Sequence, residues 1–426
     1  MRRSYAVLLV VLAAALPRLA VLLRERETIT EEFVDKSDRF ATTLVDHGTF
    51  GFLAGVPSAY TQPLYGWFLA AIYWPFGRSW DTVGIAQIVV AVLTALLVLE
   101  IGTRLRSRGV GVVAALLTTL HPYVVWHDVH MNREVLDGLA LAFVVWLALL
   151  AYEDRSFPAA AATGVATGLA ILGNARLALL PLALAPYVAW KVRPGVRALA
   201  CGALVVVAAA LTVAPWVVRN KAEVGCFAIT TDSRALWKAN NRNTYDVLDK
   251  GGWIDDVPAL PGAPPWPELA ADLTLAGTPT TVDECAQMRL YREEVLDFWR
   301  EEPGEKAKLA AQAVRMLWTP FPTESDGSGS GLAREARQTV EPAYVIVLYL
   351  LALGGLFLAP RHFVVLALLL LAYNTLAAMV FAGSVRYRAP WDFLLALLAA
   401  FALAWLWERL RERRAGYAPS GPSAAR

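Results

Sequence analysis

The stretch GVGVVAALLTTLHPYVVWHDVHMNREVLDGLALAFVVWLALLAYEDR, residues 109–155, decides the fold. It holds two apolar runs, 109–126 and 135–151, each close to the length a helix needs to cross a bilayer. Between them His127, Asp128, His130, Arg133 and Glu134 crowd into eight residues. The stretch reads as two membrane spans joined by a polar turn.

Working outward, comparable runs occur at 5–23, 83–103, 158–173, 177–191, 197–217, 339–359, 363–382 and 391–407. The chain has 426 residues, 57% hydrophobic and 18% charged, and so has more apolar surface than a soluble core of its length could hide. The expected fold class is an all-α polytopic membrane protein of about ten transmembrane helices. Residues 64–77, LYGWFLAAIYWPFG, are apolar but short and broken by Gly and Pro, so they read as an interfacial helix. The first run follows Met1-Arg2-Arg3 as a signal peptide would, but continues through Pro17 and Arg18 without a small-residue cleavage site; it reads as an uncleaved anchor.

Lys and Arg in short connections orient the spans. With both termini cytoplasmic, RLRSRG (104–109), YEDRS (152–156), KVRPGVR (191–197), PRH (360–362) and ERLRERR (408–414) all fall inside. The expected organisation is a transmembrane module 1–217 with an acidic first outer loop 24–82, an extracytoplasmic soluble segment 218–338, C-terminal transmembrane helices 339–408 and a cytoplasmic tail 409–426. Within the soluble segment, 283–318 has helical periodicity broken at Pro303-Gly304, so it reads as two helices. ESDGSGSG (324–331) reads as a flexible linker and the last residues as disordered. Cys226 and Cys285 lie in the outer segment, where an oxidising exterior would let them pair; the spacing leaves pairing open. The net charge of +2 is too small to argue for nucleic acid.

Several arginines break the orientation rule. Arg133 lies in the second outer loop, Arg176 in the turn GNAR, Arg386 and Arg388 in GSVRYRAP, Arg18 late in the first span and Arg219 at the start of the soluble segment. Arginine so placed is costly near lipid unless something compensates it. A phosphate does so well, because the guanidinium offers a planar, permanently charged fork; the alternative is that each snorkels or pairs with a neighbouring carboxylate. Carboxylates supply the complement. In TITEEFVDKSDRFATTLVDHG (28–48), Thr28 or Thr30 can cap a helix, and helical spacing puts Glu31, Asp35 and Asp38 on one face with Glu32 beside them. Glu134 stands at the start of a span, where a buried acid needs a reason. His127, Asp128 and His130 raise a divalent metal, but no third soft ligand accompanies them. No Gly-rich nucleotide loop or nucleophile elbow is present.

Taken in order, ATTLVDHGTFGF (41–52), PSAYTQPLYGWFLAAIYWPFG (57–77), HPYVVWHDVHMNREVLDG (121–138), GLAILGNARLALLPLAL (168–184), APWVVRNKAEVGCFAITTDSRALWKANN (214–241) and VRYRAPWDFLLALL (385–398) resemble the bacterial membrane glycosyltransferases of the GT-C superfamily. That group contains the dolichyl-phosphate-mannose protein mannosyltransferases and the aminoarabinose transferases. The chain departs from the family frame in the first loop, where the family's Asp and Tyr fall on Phe33 and Ser37. The resemblance implies a GT-C-like fold with a soluble segment between the seventh and eighth spans. It also implies inverting transfer of a sugar from a polyprenyl-phosphate carrier to an envelope glycan, lipid or protein acceptor, at the outer face of the plasma membrane. In that scheme Glu32, Asp35 or Asp38 takes the acceptor proton, Glu134 orients a substrate, and Arg176, Arg386 and Arg388 hold the departing phosphate. Arg18, Tyr60, Tyr65, His127, Arg133 and Tyr387 complete the substrate-binding set. No cofactor is required, although some relatives use a metal. The rival reading is a non-enzymatic transporter or flippase of an anionic polyprenyl lipid, which explains the arginines equally well but the acidic first loop and the large soluble segment less well.

Overall fold

The computed structural model describes residues 3–32, 34–191, 195–321 and 332–416, with backbone only for 332–337 and 414–416. Phe33, the 324–331 linker and the tail beyond residue 416 lie outside the described residues. The chain is an all-helical polytopic membrane protein. Its first half runs α1 (Arg3–Glu25), α2 (Ser37–His47), α3 (Pro63–Phe76), α4 (Trp80–Leu105), α5 (Arg108–Thr119), α6 (Pro122–His127), α7 (Glu134–Asp154), α8 (Phe157–Gly173), α9 (Leu180–Trp190) and α10 (Val196–Glu223). The soluble part holds α11 (Arg234–Lys238), α12 (Thr244–Asp249), α13 (Pro267–Leu275), α14 (Glu284–Glu301) and α15 (Pro303–Trp318). The chain then returns through α16 (Leu332–Gly355), α17 (Arg361–Val380), α18 (Val385–Arg388) and α19 (Asp392–Gly416).

Among the described residues, seven helical stretches are long and apolar enough to cross a membrane, and α5, α8 and α9 are shorter apolar helices. These ten stretches overlie the ten apolar runs read from the sequence. The run 109–126 is broken where Pro122 stops α5: His121 turns out of the helix, and its Nδ1 accepts the Tyr123 amide at 3.2 Å to start α6. Every residue of α19 from Phe393 to Ala402 is buried, as befits a helix apolar all round. It packs against α5 and α16, while α8 packs on α10 and α4 on α5. The α4/α5 approach needs two glycines: a Cβ on Gly102 would lie 2.6 Å from the Gly111 Cα. The short helix α3 forms as expected, with Trp74 and Phe76 exposed at its end.

The first loop corrects one expectation. Thr28 and Thr30 sit inside a 3₁₀ turn, Arg26–Thr30, and donate their hydroxyls back to Glu25 and Glu27 carbonyls instead of capping a helix. The helix begins only at Ser37, so Glu31, Glu32 and Asp35 precede it and share no helical face with Asp38. The cause is local: the Asp35 carboxylate captures the Ser37 amide and hydroxyl and so sets the helix start two residues later.

The first loop and the soluble part meet on one side, the loop-rich face. There Glu284 accepts from the Ala59 amide at 3.0 Å and from the Thr231 hydroxyl at 2.7 Å, and Lys36 pairs with Asp232 at 2.5 Å. The helices α14 and α15 divide at Pro303, as the sequence suggested. Cys226 and Cys285 form a disulfide across a separation of 59 residues. Replacing both with Ser should lower stability by about 4 kcal/mol, the loop-closure cost of such a span, and appear as a lower thermal midpoint; an unchanged midpoint would show that the segment's packing already fixes the ends.

Candidate active site

Four chain segments meet beneath the loop-rich face: the residues before α2, the start of α7, the turn between α8 and α9, and α18. Each is held by its own backbone chemistry. Asp35 donates its amide to the Met131 carbonyl at 3.1 Å, and its Oδ1 accepts the Ser37 amide at 2.8 Å and hydroxyl at 2.6 Å. Both bonds fall on Oδ1, leaving Oδ2 as the oxygen available for other work. Burial pushes the Asp35 carboxyl up, but Arg133 and the two Ser37 bonds outweigh it and hold it below its ordinary value.

Glu134 and Asp137 occupy the first turn of α7, three residues apart and therefore on one side of the helix. Glu134 meets Arg386 in a two-point contact, Nε to Oε1 at 2.5 Å and Nη2 to Oε2 at 3.3 Å. Asp137 accepts from Asn174 Nδ2 at 2.9 Å, and Asn174 Oδ1 caps the Arg176 amide at 3.2 Å. Arg133, just before the helix, donates to Gln62 at 2.9 Å and lies within electrostatic reach of Asp137, Glu134 and Asp35. On α18, Ser384 Oγ accepts the Arg386 amide at 3.1 Å and so fixes where that side chain leaves the backbone. The preceding Gly383 admits no side chain, since a Cβ would lie 1.8 Å from the Ala313 carbonyl of α15. The soluble part thus rests directly on the loop that carries Arg386.

Arg176 differs from Arg386. Its Nη2 donates to the Ala382 carbonyl at 3.0 Å and its guanidinium lies 4.0 Å above the Tyr387 ring, but among the described residues it forms no ion pair. Burial pushes its pKa down to about 10, which leaves it charged at neutral pH. Tyr373 donates its hydroxyl to the Arg176 carbonyl at 2.7 Å and holds the turn in place. Glu134, Asp137, Asn174, Arg176, Tyr373, Arg386 and Tyr387 line one polar cavity. A second cavity, mostly apolar, extends from Glu134 toward Arg18, Asp128 and His127.

The remaining sequence candidates are engaged outside the polar cavity, Arg18 and His127 along the second one. Glu32 is exposed. Asp38 is sequestered by Tyr73, at 2.6 Å, and Arg78, at 2.9 Å. Tyr65 donates to Gln87 at 2.7 Å, and Tyr60 packs on Phe52 beneath Lys36. Arg18 is buried in a pair with Asp128 at 2.7 Å, further held by Thr119. His127 stacks on Tyr123 and His130 on Trp126. Among the described residues no three His, Cys, Asp or Glu side chains gather as a metal would need. Arg388 turns away from the cavity: it is fully buried, pairs with Asp392 at 3.2 Å and donates to the Leu317 and Thr319 carbonyls. Arg388→Ala should therefore cost about 3–5 kcal/mol of stability by stranding Asp392, with turnover per folded molecule little changed; normal thermal stability with lost turnover would return Arg388 to the site. Asp137, Asn174 and Tyr373 escaped the sequence reading. Asp137 was discoverable, because a second acid three residues into a span after Glu134 shares its face.

Residues 57–218 match the model of the dolichyl-phosphate-mannose-protein mannosyltransferase family, well under half of the chain. That segment holds Arg133, Glu134, Asp137 and Arg176 but neither Asp35 nor Arg386. Comparison with curated protein sequences yields no match. Among solved structures, the archaeal oligosaccharyltransferase AglB from Archaeoglobus fulgidus, in complex with an inhibitory peptide and a dolichol-phosphate, is similar at 13% identity and a TM-score of 0.52, covering 99% of this chain and 53% of that one. The Archaeoglobus fulgidus oligosaccharyltransferase tethered to an acceptor peptide containing the NVT sequon gives 12% identity and a TM-score of 0.53, covering 98% and 52%. ArnT from Cupriavidus metallidurans bound to undecaprenyl phosphate gives 16% identity and a TM-score of 0.44, covering 94% and 78%. The chain spans about half the length of the oligosaccharyltransferases it matches. The chain therefore shares the membrane fold of the archaeal oligosaccharyltransferase, and its residues 57–218 match the dolichyl-phosphate-mannose-protein mannosyltransferase family.

Proposed function

We propose that this chain transfers a sugar from a polyprenyl-phosphate carrier to an acceptor hydroxyl, with inversion at the anomeric carbon. The observation that carries the reading is Arg176, a half-buried cation with no ion pair among the described residues, facing the same cavity as Arg386 and two carboxylates. A partly desolvated cation without a direct partner is costly, and a phosphate entering the cavity gives it one. In the reaction the acceptor oxygen attacks the anomeric carbon as its proton passes to Asp35 Oδ2. The bond from that carbon to the phosphate oxygen breaks on the opposite side, and the carrier phosphate gains charge against Arg176 and Arg386. Glu134 and Asp137, which line the cavity, would accept hydrogen bonds from sugar or acceptor hydroxyls.

The loop-rich face is read as the outer face of the plasma membrane, with both termini cytoplasmic. The Cys226–Cys285 disulfide supports this, since such bonds persist in oxidising compartments, as do the basic connections at the opposite ends of the helices.

The test is to incubate the purified protein with a panel of radiolabelled polyprenyl-phosphate sugars and a crude envelope acceptor fraction. Release of polyprenyl phosphate with label moving to the acceptor supports the reading. Intact labelled lipid appearing on the other side of proteoliposomes, with no release, would favour the transporter instead.

A further inference from the structure

We propose that Glu134 is a resident counter-anion: it occupies the Arg386 fork until the donor phosphate arrives, and by competing for that fork it sets how tightly the phosphate binds. This rests on the reading of the cavity as a phosphate site and adds a role that the reading does not require.

Three observations point to it. First, the contact has the form a phosphate would take. Two carboxylate oxygens of Glu134 meet Nε and Nη2 along one edge of the guanidinium, at 2.5 and 3.3 Å. Second, Glu134 is not needed to place Arg386. The arginine's backbone is set by Ser384 and by the close seat of Gly383 on α15, and its side chain keeps a quarter of its surface open. The pair Arg388–Asp392 makes the contrast: there the arginine is wholly buried and tied to two carbonyls, with no room for exchange. Third, Glu134 has somewhere to go. It lines both the polar cavity and the larger, mostly apolar one toward Arg18, so its carboxylate can leave the fork without leaving the site. Asp137 lacks that freedom, being shorter and held by Asn174.

The charges decide the direction of the effect. Arg133, Arg176 and Arg386 stand against Asp35, Glu134 and Asp137, a balanced set before any substrate enters. A phosphate adds negative charge to that balance, so removing the Glu134 charge strengthens binding. If Glu134 served only to hold Arg386 in place, its removal would weaken binding instead.

The experiment measures the affinity of the full chain in detergent for a short polyprenyl phosphate, with the uncharged polyprenol as control, in wild type, Glu134→Gln and Glu134→Ala. Glu134→Gln should bind the phosphate about tenfold tighter or more while turning over more slowly, with polyprenol affinity unchanged. Glu134→Ala is the second variant should the amide fold poorly, and the same sign is expected. Equal or weaker phosphate binding in a folded variant overturns the proposal. The phosphate reading itself is judged separately: wild-type binding that Arg176→Ala abolishes upholds it whatever Glu134 does, and failure of the wild type to bind polyprenyl phosphate at all brings down both.

Discussion

Asp35→Asn is expected to lower turnover about 10²- to 10⁴-fold with donor binding little altered, the signature of a lost general base. Three carboxylates of the first loop were equal in kind on sequence, and geometry separates them. Asp38 is engaged by Tyr73 and Arg78, so Asp38→Asn should act mainly through stability. Glu32 is exposed, so Glu32→Gln should be close to neutral. Asp35 lies within electrostatic reach of Arg133 and Arg386. Because its carboxyl is held below the ordinary value, the stability its pairing contributes is present above the ordinary Asp pKa and lost as pH falls through the depressed one. Wild-type turnover should show an acid limb in that low range, and the residual turnover of Asp35→Asn should not. Near-normal turnover in Asp35→Asn at pH 7 would move the base to another residue.

Arg176→Ala should reduce kcat/KM about 10²- to 10³-fold while leaving the thermal midpoint unchanged or raising it. Most active-site arginines are also structural, and their loss confounds the two effects. Here the guanidinium is half-buried against Tyr387 with no ion pair among the described residues, so its removal breaks no salt bridge and relieves a partly desolvated charge. Arg176→Lys should recover part of the rate, since the charge returns but neither the fork nor the flat contact with the ring does. A parallel loss of midpoint and rate would show instead that Arg176 serves the fold.

The membrane helices were legible because lipid leaves so little choice: a spanning segment must be apolar for most of its length and satisfy its own backbone. Even the short α3 and the break at Pro303 could be read from residue type. The first loop could not, because Thr28, Thr30 and Asp35 all cap well and the outcome turns on which backbone amides each reaches. Arg386 and Arg388 were indistinguishable by type and near in sequence. Two residues apart on a helical turn they face opposite ways, one into the cavity and the other into packing against α15 and α19. Arg133, Arg176 and Glu134 stood out by breaking a positional rule. Asp137 broke it too, but was masked by the apolar run that contains it.

The Glu134–Arg386 contact joins residues 252 positions apart. During synthesis α7 enters the bilayer long before the ribosome reaches α18, so for most of that interval Glu134 and Asp137 stand at the membrane without their latest-made partner. The half-built protein therefore carries Glu134 before the cation that pairs with it exists, and a carboxylate near lipid without its partner is costly. A chain cut short before Val385 would hold Glu134 without the Arg386 fork, so the last helices complete a charge pair that the first-made half begins.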